Sequence, residues 1–304
     1  MTATASPTAP PREPSEKPRG GAAAVLHRHR RLRIGLLLTA PMLWLGVAYL
    51  AALAALLVTA FWTTNSFTGE VERIWSLDNF RELFSVDVYR TITLRTVGIA
   101  ALVTVVDAAI AFPIALYMAK IASPRMQRLL VVAVLMPLWA SYLVKAYAWR
   151  GMLAEGGLID WLGKPFHASS PGFGVAATIL TLAYLWLPYM ILPIFAGLER
   201  LPDSLLEASS DLGAGPGVTL RRVIVPMAFP AVVAGAIFTF SLSLGDYIAV
   251  TIVGGANQML GTVVYANVGA AGNLPFAAAV AMVPVVIMLV FLAAVRRTGA
   301  LENL

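Results

Sequence analysis

The sequence predicts an all-α integral membrane protein with six transmembrane helices. Three observations predict this class: the apolar composition, a series of long apolar segments, and the uneven distribution of basic residues. Of the 304 residues, 59% are hydrophobic and 12% are charged, and the mean hydropathy is +0.78. Soluble domains carry roughly 25% charged residues. A polytopic membrane protein therefore fits this composition, and a soluble globular domain does not.

Apolar segments of membrane-spanning length recur along most of the chain. Each reaches or exceeds the ~20 residues that cross a bilayer as a helix. The six segments are residues 34–62, 91–119, 129–150, 173–198, 227–253 and 276–295. They define a transmembrane domain over residues 34–297. A basic tail over residues 1–33, predicted to be disordered in its Pro-rich and Ser-rich first part, precedes this domain, and a short C-terminus over residues 298–304 follows it.

Lys and Arg residues predict the orientation in the membrane. With the N-terminus in the cytoplasm, fifteen of them fall on the cytoplasmic side and seven on the outer side. Cytoplasmic segments of membrane proteins carry the excess of basic residues. Both termini and the loop between the fourth and fifth segments are therefore expected in the cytoplasm. This bias accounts for the net charge of +6, so a lipid bilayer is the expected partner and nucleic acid is not.

The set of reactive residues argues against an enzyme. Cysteine is absent, and the three histidines, His27, His29 and His167, lie in the tail and in a loop. A thiol nucleophile, a Cys-ligated metal and a His-based acid–base pair at membrane depth are therefore excluded. The sequence contains no Gly-x-x-x-x-Gly-Lys-Ser/Thr motif, so any ATP hydrolysis has to come from another chain. We expect no catalytic residue, no cofactor and no metal.

A polar stretch between the fourth and fifth segments has a distinct local pattern. It reads Glu-Ala-Ser-Ser-Asp-Leu-Gly-Ala-Gly-Pro-Gly-Val-Thr-Leu-Arg-Arg-Val-Ile-Val-Pro over residues 207–226. Ser204 and Glu207 have the spacing of a capping box, which predicts a short helix starting near residues 202–204. Gly213 can end that helix in a tight reversal, and Pro216 can open a second short helix. The pattern predicts a rigid helical hairpin at the membrane face.

This stretch resembles the EAA loop in the permease subunits of bacterial ABC importers. That motif is Glu-Ala-Ala, three residues, Gly, nine residues and Ile-x-Leu-Pro. Here Ser209 stands in place of the second Ala, and Val223 and Val225 stand in place of Ile and Leu. The resemblance implies the type I ABC importer permease fold, in which the loop over residues 202–226 couples transport to ATP hydrolysis by a separate ATPase. The implied coupling residues are Glu207, Ala208, Ser209, Gly213 and Pro226.

The resemblance also implies partners. Family members work with an ATPase subunit, expected here as a dimer, with a second permease subunit, and with an extracytoplasmic substrate-binding protein. Transport in the family proceeds by alternating access. The outer loops, residues 63–90 and 151–172, are long enough for short surface helices and are expected to contribute to the surface that receives the binding protein. Solvated loops without a special role have the same composition, and that alternative stays open.

Charged and aromatic residues inside the apolar segments are candidates for the substrate path. Charge at membrane depth is expensive and marks a functional hypothesis; a helix–helix hydrogen bond is the structural alternative for Asp107. Aromatic rings beside a carboxylate suit an organic cation, and packing is the alternative for each ring. Asp246 follows a glycine, so the fifth helix is expected to open locally there. The candidate path residues are Asp246, Tyr247, Asp107, Trp139, Tyr142 and Tyr184.

The C-terminal third is similar to permeases of the spermidine/putrescine importer group. The matching residues are Gly245-Asp246-Tyr247, Val253-Gly254-Gly255, Met259-Leu260-Gly261 and Asn273-Leu274-Pro275-Phe276. Val250-Thr251 departs from the Thr-Pro that these permeases often have. The similarity implies a polyamine as the solute. Relatives in the same group move ferric iron, phosphonates or opine-like compounds, so these solutes stay open.

Two other classes of protein fit the sequence less well. An ion-coupled secondary transporter would need intramembrane coupling groups, often in matched repeats. No repeat is visible, and Asp107 and Asp246 do not occupy corresponding positions. An integral-membrane enzyme would need a nucleophile, a metal or a paired acid and base at membrane depth, and the sequence offers none of these.

Overall fold

The computed structural model describes residues 30–65, 68–167 and 169–297. Residues 30–55 belong to one unit, and the residues from Leu56 onward belong to a second. The predicted tail up to residue 29 and the C-terminus at residues 298–304 lie outside the described residues. The predicted boundary at residue 33 falls within the first helix, which begins at Arg30.

Helices make up most of the described chain, and one short antiparallel hairpin pairs Thr63 with Glu72. The elements are α1 (Arg30–Thr59), β1 (Thr63–Thr64), β2 (Val71–Glu72), α2 (Asp78–Ser85), α3 (Asp87–Leu116), α4 (Pro124–Trp139), α5 (Tyr142–Leu153), α6 (Leu158–Gly163), α7 (Val175–Glu199), α8 (Asp203–Asp211), α9 (Pro216–Thr219), α10 (Val225–Leu244), α11 (Ile248–Val253), α12 (Leu260–Val268) and α13 (Leu274–Arg297). A π turn (Tyr117–Ile121) extends α3, a second π turn (Leu220–Ile224) joins α9 to α10, and a 3-10 turn (Lys164–Phe166) follows α6.

Five helical stretches of the described chain are long and apolar enough to cross a membrane. They are Pro41–Thr59, Asp87–Ile121, Val175–Glu199, Pro216–Leu244 and Leu274–Arg297. α4 and α5 together meet the same criteria as one broken span. The described residues therefore contain six candidate spans when the broken pair counts as one, in agreement with the six predicted segments.

The third predicted segment, residues 129–150, is not one helix, so that part of the prediction is wrong. α4 and α5 are bent by 93° relative to each other. Ala140 and Ser141 between them are extended, with ψ angles of 140° and 138°. Pro137 lies in the last turn of α4, where it has no N–H to donate to the helix. The helix is thus weakened just before it ends.

The fifth predicted segment, residues 227–253, is also interrupted. α10 ends at Leu244 and α11 begins at Ile248. The expected local opening after Gly245 is present, and it separates the predicted segment into a long helix and a helix of six residues.

α7 is the central helix of the second unit and packs along both α3 and α10. One buried cluster joins the three helices through Met118 of the π turn after α3, Ile194 and Leu198 of α7, and Ala228 of α10. Tight contact between α7 and α10 depends on a small residue. A Cβ on Gly235 would lie 2.6 Å from the sulfur of Met190. Glycine at such a position lets membrane helices approach closely.

We predict that Gly235→Ala lowers the free energy of unfolding by about 1–3 kcal/mol, because the new methyl group overpacks the contact with Met190. Gly98→Ala in α3 is the matched control, since nothing lies within 4 Å of its Cβ position. Its stability should rise by up to about 1 kcal/mol through helix propensity. Thermal unfolding of the detergent-purified variants measures both effects. Equal unfolding midpoints for the two variants would contradict the close packing of α7 and α10.

Candidate functional site

The polar stretch between α7 and α10 folds as two short helices. α8 and α9 are separated by a tight reversal, and the π turn Leu220–Ile224 leads from α9 into α10. We call residues 203–224 the helical hairpin. The predicted start of the first helix, the reversal at Gly213 and the opening of the second helix at Pro216 are all confirmed.

The predicted capping box at the start of α8 is wrong. α8 begins at Asp203, its N-cap residue is Pro202, and no side chain caps it. Ser204 is therefore the second residue of the helix and not its cap. Asp203 supplies a negative charge in the first turn, which complements the positive end of the helix dipole. Glu207 is left exposed on the hairpin surface.

The reversal after α8 is held by backbone hydrogen bonds. The N–H of Ala214 donates to the carbonyl oxygen of Ser209 at 3.1 Å, and the N–H of Gly213 donates to that of Ser210 at 2.8 Å. These two bonds form a Schellman motif, which needs a left-handed residue after the helix. Gly213 has a φ of 77°, a region that glycine adopts without a Cβ clash. The direction of the chain after α8 is thus fixed locally.

A side-chain bond joins the two helices of the hairpin. The hydroxyl groups of Ser209 and Thr219 lie 2.9 Å apart. The serine occupies the place where the EAA motif has its second alanine, so this chain gains a contact that alanine cannot make. The bond adds to the Schellman motif and stiffens the hairpin.

The helical hairpin has both an exposed and a buried apolar surface. Leu212 is 88% exposed, and Leu205 and Val218 are also exposed. In contrast, Leu206 and Leu220 pack against the buried cluster of α3, α7 and α10. Sequence reasoning missed Leu212, although its place directly before the reversal marks it as a tip residue.

Pro226 lies in the first turn of α10. It lines a groove of about 600 Å³ together with Pro193, Arg200, Pro202 and Pro230. The proline that ends the sequence motif is therefore positioned where the hairpin joins α7 and α10.

A second arrangement surrounds the break between α10 and α11, where Asp246 and Tyr142 come together. The Tyr142 hydroxyl donates to Oδ2 of Asp246. Oδ1 of the same carboxylate accepts from the N–H of Ala249 at 3.0 Å and from that of Val250 at 3.5 Å. Asp246 is 8% exposed. Both of its oxygens are therefore used inside the chain: one accepts from N–H groups in the first turn of α11, and the other binds α5.

Aromatic rings extend from this pair in two directions. The ring of Tyr142 lies 5.8 Å from that of Trp186. On the other side of the break, Tyr247 stacks on Tyr265 with their ring centroids 4.9 Å apart. These two tyrosines line a cavity of about 400 Å³ that also includes Pro284. Tyr265 was missed, because its partner is 18 residues away in sequence and no local pattern connects them.

The other candidate path residues are not gathered around Asp246. Trp139 is 88% exposed at the end of α4, and Tyr184 packs on Trp149 with a ring separation of 5.5 Å. Asp107 is fully buried in α3, and neither carboxylate oxygen has a hydrogen-bond partner among the described residues. The helix–helix hydrogen bond considered for Asp107 is therefore not formed within the part of the chain that the structure describes.

The two long loops predicted on the outer side contain ordered structure. α2 and α6 are the expected short helices. Asn79 of α2 donates to the carbonyl oxygens of Ala60 and Trp62 at 2.9 and 2.8 Å. Asp160 of α6 accepts from the N–H groups of Ser170 and Gly156, and these hydrogen bonds hold the pKa of Asp160 below its usual value. The described residues of both loops thus present defined surfaces.

Residues 90–297 match the family described as the inner membrane component of binding-protein-dependent transport systems. The chain belongs to this family. It is 42% identical to the inner membrane ABC transporter permease protein YdcU of Escherichia coli, over 96% of this chain and 97% of YdcU. It is 28% identical to the E. coli spermidine/putrescine transport system permease protein PotB, over 81% of this chain and 90% of PotB.

The fold agrees with this membership. A chain of the bacterial alginate ABC transporter, solved in complex with an alginate pentasaccharide-bound periplasmic protein, matches with a TM-score of 0.69 at 15% identity. The match covers 89% of this chain and 94% of that chain. The protein is thus an ABC importer permease of the type I fold and an inner membrane protein.

We predict that Tyr142→Phe destabilises this permease by about 1–3 kcal/mol, because it leaves a buried oxygen of Asp246 without its donor. Tyr265→Phe is the matched control: it keeps the stacked ring and removes the hydroxyl of a residue that is 57% exposed. The thermal unfolding midpoint of each detergent-purified variant is the measurement. The same midpoint shift in both variants would show that the hydroxyl of Tyr142 makes no special contact.

Proposed function

We propose that this permease forms half of the translocation path of an ATP-driven polyamine importer. A second permease subunit supplies the other half, and the solute crosses by alternating access. The observation that carries the proposal is the helical hairpin. Its reversal is fixed by the Schellman motif at Gly213, and its tip presents Leu212 outward. A rigid element with an exposed apolar tip suits docking into a groove on a separate ATPase subunit.

The contacts of the hairpin support a mechanical role. Glu207, Ala208 and Ser209 lie on α8, and the Ser209–Thr219 bond makes α8 and α9 move together. Leu206 packs against the same buried cluster as the ends of α3, α7 and α10. Movement of the ATPase groove would therefore pass through the hairpin to three membrane helices. The partner subunit hydrolyses ATP, and this chain transmits the resulting movement through the hairpin to its membrane helices.

The proposed complex contains an ATPase dimer, two permease chains and an extracytoplasmic substrate-binding protein. The family description names binding-protein-dependent transport, and the alginate transporter of similar fold was solved with a periplasmic protein bound. The uneven distribution of Lys and Arg residues supports a cytoplasmic location for both termini and for the hairpin. The ordered loops containing α2 and α6 are then available to the binding protein on the outer side.

The polyamine assignment has support from both sequence and structure. PotB is a spermidine/putrescine permease and aligns with most of this chain, whereas the name of YdcU states no solute. Tyr247 and Tyr265 offer partly exposed ring faces in a cavity, and such faces attract organic ammonium groups. Trp139 and Tyr184 remain candidate path residues, because their exposed rings can attract an ammonium group in the same way.

The two membrane carboxylates have different proposed roles. Asp246 is nearly buried and already binds Tyr142 and the start of α11, so in this conformation it positions Tyr247 and does not face the solute. Rearrangement of the Tyr142 bond during transport would expose the carboxylate to the path. Asp107 is enclosed by the core helices, and we assign it a place in the bundle interior and none in the path.

We predict that spermidine or putrescine, delivered by the binding protein, stimulates ATP hydrolysis by the reconstituted complex of this permease, its second permease and its ATPase. The measurement is the ATPase rate in proteoliposomes across a panel of polyamine, ferric iron, phosphonate and opine solutes. Complexes with the binding protein omitted provide the control. Stimulation by a solute other than a polyamine would retain the importer and reject the polyamine assignment.

We predict that Gly213→Trp uncouples ATP hydrolysis from transport while the protein still folds. The Cβ position at Gly213 has open space around it, so the large ring would project where the ATPase is expected to dock. Gly213→Ala is the control, because it carries the same left-handed strain of about 1–2 kcal/mol without the bulk. Solute uptake and ATPase rate are measured together. Uptake by Gly213→Trp at the wild-type level would count against the hairpin as the coupling element.

A further inference from the structure

A single lysine joins the C-terminal end of α3 to the entrance of the helical hairpin. The ammonium group of Lys120 donates to the carbonyl oxygen of Leu201 at 2.6 Å. It also forms an ion pair with Oδ1 of Asp203 at 2.7 Å. The side chain of Lys120 is 13% exposed, whereas that of Asp203 is 76% exposed. The lysine is thus largely enclosed, and its charged end reaches the first residue of α8.

The ammonium group of Lys120 lies near the N-terminal end of α8, where a positive charge needs hydrogen-bond acceptors to stabilise it. The N-terminal end of a helix carries a partial positive charge, so a cation there is unfavourable without nearby acceptors. Pro202 provides no side-chain cap for α8. The carbonyl oxygen of Leu201 and the carboxylate of Asp203 are the two acceptors that make the position favourable. Loss of either acceptor therefore weakens the attachment, and loss of the ammonium group removes it.

The turn at the end of α3 directs Lys120 toward the hairpin, and Met118 in the same turn packs into the core. Lys120 lies in the π turn Tyr117–Ile121, which is closed by a bond from the N–H of Ala122 to the carbonyl oxygen of Tyr117 at 2.9 Å. Met118 of the same turn is fully buried in the cluster with Leu198. One turn of α3 therefore contacts the bundle core on one side and the hairpin on the other. π turns occur frequently at functional sites.

We infer that Lys120 is a positioning residue that couples α3 to the helical hairpin. The chain connects the hairpin covalently only to α7 and α10, and Lys120 adds a polar attachment to the third core helix. Displacement of the hairpin then moves all three helices together. This inference rests on the proposed coupling role of the hairpin, but the attachment itself can be measured without any solute.

The first experiment measures the attachment in the assembled importer complex. Because the natural sequence has no cysteine, Ile121→Cys and Ser210→Cys introduce the only two thiols of this chain for spin labels. Electron paramagnetic resonance then gives the distance distribution between α3 and α8, with and without ATP. A narrow distribution is expected in both nucleotide states. Lys120→Met should broaden it, and Asp203→Asn, which keeps the Leu201 bond, should broaden it less.

Arg125→Met is the matched control, since it removes one positive charge from an exposed residue of α4, and its distribution should match that of the parent chain. An unchanged distribution in Lys120→Met would overturn the attachment. So would equal broadening in Lys120→Met and Arg125→Met, because that result would reflect net charge and not the contact of Lys120.

The second experiment measures coupling. In proteoliposomes with a spermidine-loaded binding protein, Lys120→Met should retain the basal ATPase rate and reduce the stimulated rate about fivefold or more, the usual scale of coupling between sites. Full stimulation despite a broadened distance distribution would overturn the coupling role of Lys120. If Gly213→Trp also keeps full coupling, the proposed function of the hairpin itself fails, which distinguishes the two failures.

Discussion

The backbone of a membrane helix has no water to bind, so every N–H and C=O group in the apolar spans has to find a partner inside the protein. This constraint applies to the broken span formed by α4 and α5 and to the break that follows α10. At the break between α10 and α11, Asp246 accepts from the first N–H groups of α11. The same carboxylate accepts from Tyr142, the first residue after the bend between α4 and α5. One partly buried hydrogen bond therefore connects the bend between α4 and α5 with the break between α10 and α11.

The helical hairpin lies at the surface of the protein, so its stiffness cannot come from burial in the core. Its stiffness comes from local bonds: the Schellman motif at Gly213 and the contact between Ser209 and Thr219. Its attachment to the bundle comes from apolar contacts such as that of Leu206 with the core cluster. The helical hairpin is thus stiffened by its own hydrogen bonds and packs against the core helices. Its tip remains exposed and is available to contact another chain.

Features set by local sequence could be predicted, and features set by distant contacts could not. The six apolar segments could be predicted from their length. The reversal at Gly213 and the opening after Gly245 could be predicted from the conformational freedom of glycine. The bend after Trp139 was missed because the apolar composition continues through it. The capping box failed because Pro202 took the cap position. The partner of Lys120 was not predictable, since 83 residues separate it from Asp203.

The two π turns have a consequence for how the helices can rearrange. Each holds about one residue more than an α turn, and one residue corresponds to roughly 100° of helical rotation. One π turn follows α3 and carries Lys120, and the other leads out of the hairpin into α10. Conversion of either turn to α winding would rotate one end of the helix against the other without unwinding it. Each conversion therefore corresponds to a rotation of roughly 100° at a helix end that adjoins the hairpin.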